Sequence, residues 1–166
     1  MKTNGSVYVV VVLAVLVGYF SYQWWFNPTR AVKLRLGQVA EALSVPDDDT
    51  DLGRVTRLAQ LRRYLADDIR VRAGSAAPEL SSRDQVLGAI SRWTPPPGGW
   101  NVAFVDVQIA MESDSAAHAF LSVEITTRDP QGQPSIDARD ARVNLGKRDG
   151  EWVITSGESK EPPEHP

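Results

Sequence analysis

Residues 101–126 read NVAFVDVQIAMESDSAAHAFLSVEIT, with apolar side chains at every second position in both halves. A period of two is typical of β-strands that turn one face toward a core and the other toward solvent. The row expected to face the core is Ala103, Val105, Val107, Ile109 and Met111 in the first strand, and Ala119, Leu121, Val123 and Ile125 in the second. We therefore expect two antiparallel strands that need cover on one side.

The sheet is expected to continue toward the C-terminus. A third strand contains the alternating residues Ala141, Val143 and Leu145, and a fourth strand runs from Glu151 to Ser156. Asp149-Gly150 lies between them, and this dipeptide favours the tight turn of a β-hairpin. The C-terminal half therefore predicts a four-stranded meander.

The chain before the meander has helical periodicity. Asn27-Pro28 and Ser82-x-x-Gln85 are typical helix starts, and a short strand, Ile69 to Arg72, separates the second helix from the third. The faces expected to be buried are Val32, Leu36, Val39 and Leu43 in the first helix, Leu52, Val55, Leu58, Leu61 and Leu65 in the second, and Val86, Leu87, Ile90 and Trp93 in the third. Helices that cover one face of an antiparallel sheet make an α+β roll.

This order of elements resembles the nuclear transport factor 2-like (SnoaL-like) superfamily over about Ala31 to Ser159. The resemblance is carried by YLADDIRV at 64–71, SRDQVL at 82–87 and RDGEWVI at 148–154. It implies a cone-shaped fold, with three helices packed on a strongly bent antiparallel sheet and a pocket between them. It also implies that the outer surface of the sheet often forms a homodimer. No reaction is implied, because this fold serves enzymes and binding modules alike.

An uncharged apolar stretch, 7–26, precedes the roll. It is long enough to cross a bilayer core of roughly 30 Å as a helix, and aromatic rings end it where a headgroup layer would lie. The alternative is a cleaved secretion signal, but the stretch lacks a small-x-small cleavage site. We expect a tail at 1–6, a membrane anchor at 7–26, a head domain at 27–159 and a disordered tail at 160–166. Typical anchor residues are Val7, Leu13, Leu16, Tyr19, Trp24, Trp25 and Phe26.

The two flanks of the anchor give conflicting signals about orientation. Arg30, Lys33 and Arg35 follow it, and by the positive-inside rule they would keep the head in the cytoplasm. Those residues also belong to the first helix of the head, and single N-terminal anchors commonly deliver a domain outward. We expect a single-pass protein of the inner (cytoplasmic) membrane with its C-terminal domain on the outer, periplasmic side.

Composition excludes several classes of function. The chain has 18 Lys and Arg against 21 Asp and Glu, a net charge of −3, which argues against nucleic acid as a partner. It has no Cys, which excludes disulfides and Cys nucleophiles. Asp47, Asp49 and Asp51 imitate the start of a calcium loop, but Leu52 and Leu58 replace its required Gly and Glu. We expect no metal and no cofactor.

The pocket is expected to lack catalytic side chains. Enzymes of the superfamily that resemble ketosteroid isomerase or polyketide cyclases place an acidic base and hydrogen-bond donors inside it, whereas the rows predicted to face inward here are wholly apolar. We expect no catalytic residue. The polar side chains left as candidates, at the pocket mouth, are Tyr64, Asp67, Asp68 and Arg72.

The outer row of the sheet is the stronger functional candidate. It mixes aromatic and polar side chains, as contact surfaces with a polar rim do. The candidate interface is Phe104, Asp106, Gln108, His118, Phe120 and Glu124.

These features favour a membrane-anchored, non-catalytic binding or assembly module of the cell envelope. Its expected partners are membrane lipid, through the anchor, and either a second copy of the chain or another envelope protein. One alternative is a binder of a small apolar molecule in the domain pocket. Another is a cyclase-type, isomerase-type or hydrolase enzyme that uses Asp67 or Asp68.

Overall fold

The computed structural model describes residues 4–25, 27–74 and 77–159. Its helices are α1 (Asn4–Trp25), α2 (Pro28–Leu43), α3 (Asp51–Tyr64) and α4 (Arg83–Ser91). Its strands are β1 (Leu65–Ala73), β2 (Trp100–Ser113), β3 (Ala116–Arg128), β4 (Pro134–Arg148) and β5 (Glu151–Ser159). Phe26 and the predicted tail 160–166 lie outside the described residues.

The helix starts follow the capping residues in the sequence. The side chain of Asn27 accepts a hydrogen bond from the backbone N–H of Thr29, and Pro28 is the first helical residue of α2. Ser82 accepts from the N–H of Gln85 at the start of α4. Thr50, which we did not predict as a cap, accepts from the N–H of Gly53 and begins α3.

The five strands form one mixed sheet in the order β1-β5-β4-β3-β2. β2 to β5 are an antiparallel meander, and Asp149-Gly150 makes the expected hairpin turn with positive φ at both residues. β1 lies parallel to β5, so the expectation of a purely antiparallel sheet is wrong for that pair. The strand itself was expected, but its partner is 86 to 89 residues away, and nothing local in a sequence indicates such a pairing.

The core lies between the helices and one face of the sheet. α2 contributes Val32, Leu36 and Val39, which are almost fully buried, and the sheet contributes Ala119, Leu121, Leu145 and Ile154. Leu61, Ile69 and Val86 join them from α3, β1 and α4. The fold is therefore an α+β roll in which helices cover one side of the sheet.

None of the described side chains of α1, at 8–22, belongs to this core. Its apolar side chains from Tyr8 to Tyr22 are exposed, from 46% at Leu16 to 72% at Tyr8. Among the described residues, no helix combines the length and the apolarity that crossing a membrane requires.

Candidate functional site

A cavity of about 460 Å³ lies between the helices and the inner face of the sheet. Its walls include Val39, Leu61, Val86, Val123 and Ile154. Apart from Ser91, the polar side chains among its lining residues are Asp49, Arg54 and Arg57, which come from the α2–α3 connection and the first half of α3. The cavity is thus an apolar chamber with charged side chains from one segment of the chain.

A β-bulge in β2 turns Phe104 into this cavity. Val105 pairs with Ser122 and Gln108 with Phe120, so β2 has one more residue than β3 between these pairs, and Asp106 there has φ of 52°. The extra residue reverses which side chains face inward. Val102 and Phe104 line the cavity, while Val107, Ile109 and Met111 pack on the core farther along.

This bulge corrects two expectations about β2. Phe104 was expected on the outer face, and Ala103 and Val105 on the inner one. Ala103 pairs with Glu124 and Val105 with Ser122, which puts them on the outer side.

Asp49 and Arg57 form a bidentate ion pair at the charged end. Arg57 donates from Nη1 to Asp49 Oδ1 at 2.7 Å and from Nη2 to Oδ2 at 2.6 Å. The side chain of Arg57 is only 17% exposed, and that of Asp49 is 12% exposed. Hydrogen bonding from Arg57 holds the pKa of the Asp49 carboxyl below its usual value. A Cβ at Gly53 would lie 2.9 Å from Asp49 Oδ1, so this glycine leaves room for the carboxylate.

Two tryptophans border the cavity near the same connection. Trp100 pairs with Val45 through two backbone hydrogen bonds of 2.9 Å, and its indole N–H donates to Leu43 O at 2.7 Å. Trp93 packs edge-on against Trp100 and remains 57% exposed. We expected Trp93 to face the core, but α4 ends at Ser91, so the helical spacing no longer applies to it.

None of the four side chains expected at the pocket mouth lines the cavity. Tyr64 packs beneath the guanidinium of Arg35, which lies 4.7 Å from the ring centroid. Asp67 pairs with Arg83, and Arg72 pairs with Glu79. Asp67, Asp68 and Arg72 are exposed. Asp67 and Arg72 are thus held in separate ion pairs along β1, and the structure does not bring the four side chains together as a site.

The sequence contains a pattern that indicates which face of α3 lines the cavity. Leu52 and Leu61 are nine residues apart, and at 3.6 residues per turn that separation places them about 180° apart on a helix. Leu52 and Val55 are accordingly 75% and 63% exposed, against our expectation that they are buried. The residues of α3 that line the cavity are Arg54, Arg57, Leu58 and Leu61, and their spacing of three and four residues is that of one helix face.

The outer face of the sheet carries a connected row of polar side chains. Gln108, His118, Phe120 and Glu124 lie on it by register, with Asp106 at the bulge beside them. Phe120 is 45% exposed, and the guanidinium of Arg142 lies 4.9 Å from its ring centroid.

His118 links two strands of this face. Its Nδ1 lies 2.6 Å from Asn144 Oδ1 and its Nε2 lies 2.8 Å from Glu112 Oε1. Both oxygen atoms accept hydrogen bonds, so they favour the doubly protonated imidazole ring. The pKa of His118 is therefore raised, with the larger effect from Asn144 and the smaller from Glu112. Ser156 bonds to Asn144 and not to the imidazole, so the row is not a Ser–His catalytic pair.

Two carboxylates of the acidic segment 47–51 have defined positions at the start of α3. Asp49 pairs with Arg57, and Asp51 lies in the first turn of α3. Within the described ranges, no group of three or more His, Asp or Glu side chains is placed to hold a metal ion.

No protein-family model matches the sequence, and no curated protein is detectably similar to it. Solved structures match its fold. A nuclear transport factor 2-like protein with a cystatin-like fold from Novosphingobium aromaticivorans has a TM-score of 0.70 at 10% identity, over 90% of this chain and 92% of that one.

Two further similar structures are nuclear transport factor 2-like proteins of unknown function. That from Shewanella oneidensis has a TM-score of 0.59 at 17% identity, covering 81% of this chain and 99% of that one. That from Pseudomonas putida has a TM-score of 0.58 at 13% identity, covering 79% and 84%. This protein therefore has the nuclear transport factor 2-like, cystatin-like fold.

Proposed function

We propose that this protein is a membrane-anchored, non-catalytic binding module of the cell envelope whose cavity takes up an apolar small molecule. The observation that carries the proposal is the cavity of about 460 Å³ between helices and sheet. Ligand sites in proteins are typically about 300 to 1,000 Å³ and predominantly apolar.

The chemistry of the walls favours an apolar occupant. Burial of apolar surface contributes about 25 cal/mol per Å² to the free energy of binding, before the cost of immobilising the ligand. A polar group that entered the interior would lose its water and find only side chains such as Leu61, Val86 and Phe104. The walls therefore select against polar molecules as well as for apolar ones.

The same lining argues against catalysis. General acid–base chemistry needs a titratable group within hydrogen-bond reach of the reacting atoms. Asp49 is the only carboxylate in the described lining, and it is already paired with Arg57, which keeps it ionised and weakly basic. Arginine stays protonated at any physiological pH and supplies no base. These groups suit binding and not proton transfer.

The anchor is part of the proposal. The exposed apolar side chains of α1 from Tyr8 to Tyr22 would be buried in a bilayer, with the head on its outer side. Apolar molecules concentrate in lipid, so a tethered head would meet its ligand at a high effective concentration. A modest intrinsic affinity would then suffice.

A cavity-filling variant tests the proposal. A Cβ at Gly157 would meet nothing within 4 Å, and Gly157 lines the cavity opposite Val143. Gly157→Phe should therefore fill the space without a backbone clash. The full chain in bilayer discs is exposed to a sixteen-carbon alcohol that carries a photoreactive diazirine, and adducts are mapped by mass spectrometry. We expect adducts on cavity residues of the natural chain and their loss in the variant.

Gly37→Phe is the matched control. Gly37 is exposed on α2, and a Cβ there also meets nothing within 4 Å. This variant should keep the adducts in the cavity. Equal labelling of the cavity region in both variants, or adducts confined to α1, would contradict the proposal.

The outer face supports a second candidate function, self-assembly. Phe120 is 45% exposed on β3, between β2 and β4, among polar side chains such as His118 and Gln108, which is the composition of a contact surface with a polar rim. Its partner would be a second copy of the chain. Cross-linking in intact membranes should give a dimer that Phe120→Ser abolishes, and a dimer that survives this change would exclude the face.

A further inference from the structure

The cavity end near the start of α3 carries two arginines and one carboxylate, an excess of one positive charge. Arg57 is neutralised by Asp49, with both Nη atoms bound to its two carboxylate oxygens. Arg54 lies one turn before Arg57, lines the same cavity and is exposed to solvent. Its guanidinium makes no hydrogen bond or ion pair with a side chain in the described parts of the chain. The five donors of Arg54 are thus available at the boundary between the chamber and water.

The rim beside this charge suits a molecule with two chemically different ends. Trp93 is 57% exposed and packs on Trp100, which is hydrogen-bonded to Val45 at the end of α2. Exposed indole rings favour boundaries between apolar and aqueous surroundings. Leu58, four residues after Arg54, and Ile90, three residues before Trp93, belong to the apolar lining of the same cavity.

From these positions we infer that the ligand is a single-chain amphiphile with an anionic head, its chain in the cavity and its head bound by Arg54. This inference rests on the proposed function and specifies the ligand of the same site. A guanidinium binds a carboxylate or a phosphate through paired hydrogen bonds. A volume of about 460 Å³ lies in the lower half of the usual range for ligand sites, which suits one hydrocarbon chain and not two.

The ion pair between Asp49 and Arg57 has a defined part in this arrangement. Asp49 is bound on both oxygens by Arg57, and the charge of Arg54 also acts on it, so the three side chains together keep one positive charge that attracts an anionic head. Arg57 is a positioning residue in this scheme. It holds the carboxylate that would otherwise pair with Arg54 or repel an anionic head.

Two probes of equal length separate the head from the chain. Each carries the same diazirine at the end of a sixteen-carbon chain, and one is a fatty acid while the other is an alcohol. They are offered to the full chain in discs of uncharged phospholipid at about pH 9, where the fatty acid is ionised. We expect the natural chain to bind the acid about tenfold more tightly than the alcohol, as a charge-assisted hydrogen bond allows.

Arg54→Gln should weaken binding of the acid about tenfold and leave binding of the alcohol unchanged. Arg63→Gln is the control, because Arg63 is exposed on the same helix but does not line the cavity. It removes the same charge and should change neither affinity. Referred to the probe free in water, shortening either probe should weaken its binding about fourfold per methylene.

Competition identifies the head. A sixteen-carbon fatty acid and a lysophosphatidic acid of the same chain length are each titrated against the photoreactive acid. Displacement by either supports the inference, and the stronger competitor identifies the head as carboxylate or phosphate. If acid and alcohol label the cavity equally, and Arg54→Gln changes neither, the anionic head is refuted while the apolar ligand stands. If neither probe labels the cavity, the proposed function itself fails.

Discussion

A side chain at Gly99 would collide with the backbone of the connection between α2 and α3. Gly99 has φ of +66°, and an added Cβ would lie 2.1 Å from the carbonyl oxygen of Val45. Gly99→Ala should therefore lower the free energy of unfolding by about 2 kcal/mol or more, because it adds a clash to the strain of a left-handed conformation. Denaturant titration measures this change.

Gly132→Ala separates the two causes. Gly132 also has positive φ, +80°, but a Cβ there meets nothing within 4 Å. Gly132→Ala should lower the free energy of unfolding by about 1 kcal/mol, because it adds only the backbone strain. Equal effects of the two changes would show that the approach of Gly99 to Val45 does not constrain the fold.

His118 should make stability depend on pH. Hydrogen bonds to Asn144 and Glu112 raise its pKa in the folded state, while Arg142 opposes them. A raised pKa adds stability that is complete below the unfolded value of about 6.5 and is lost as pH rises through the folded pKa. Stability should therefore fall as the pH rises above about 6.5.

The thermal midpoint of unfolding should decrease as the pH is raised above about 6.5. His118→Gln should remove most of this dependence of the midpoint on pH. The only other histidine is His165, in the C-terminal tail. A pH profile that His118→Gln leaves unaltered would contradict the role of His118.

The bulge in β2 determines which side chains of this strand reach the cavity. Asp106 holds φ of 52°, a conformation that β-branched residues strongly disfavour. Asp106→Val should cost about 1 to 3 kcal/mol, whereas Asp106→Gly should be neutral or mildly stabilising because glycine tolerates positive φ. Urea unfolding of both variants measures the difference. If Asp106→Val is as stable as Asp106→Gly, the bulge is not a requirement of the strand.

Alternation alone could not locate this bulge. From Val102 to Val105 every residue is apolar, so either set of alternate positions could face the core. The sequence of β3 has no such ambiguity, because Ser122 and Glu124 separate its apolar residues, and Leu121, Val123 and Ile125 lie where their spacing indicates. Phe104 was therefore assigned to the wrong face, while the architecture around it was predicted correctly.

The site was less predictable than the fold for a related reason. Asp49 and Arg57 are eight residues apart and meet only because a turn before α3 brings the carboxylate back along the helix. Their pairing depends on the backbone at Thr50 and Gly53, which cap and open the first turn. Capping residues, turns and the spacing of apolar residues on a helix depend on nearby residues, so they can be predicted from the sequence. A cavity depends on how far layers stand apart, which a single sequence does not encode locally.

The separation of the described part of α1 from the core leads to a final prediction. Among the described side chains, the core cluster comes from α2 to β5, and the residues of α1 at 8–22 add none to it. A chain that lacks residues 1–26 should therefore unfold cooperatively, with a free energy of unfolding within about 0.5 kcal/mol of the full chain. Circular dichroism during urea unfolding compares the two.

The same deletion should abolish association with membranes. The full chain should float with phospholipid vesicles in a density gradient, because the exposed side chains of Tyr8 to Tyr22 gain free energy in lipid. The shortened chain should stay in the dense fraction, even though its head is folded. If it floats as well, surfaces of the head bind the bilayer. If the full chain remains dense, α1 is not a membrane anchor, and the head would meet its ligand from solution.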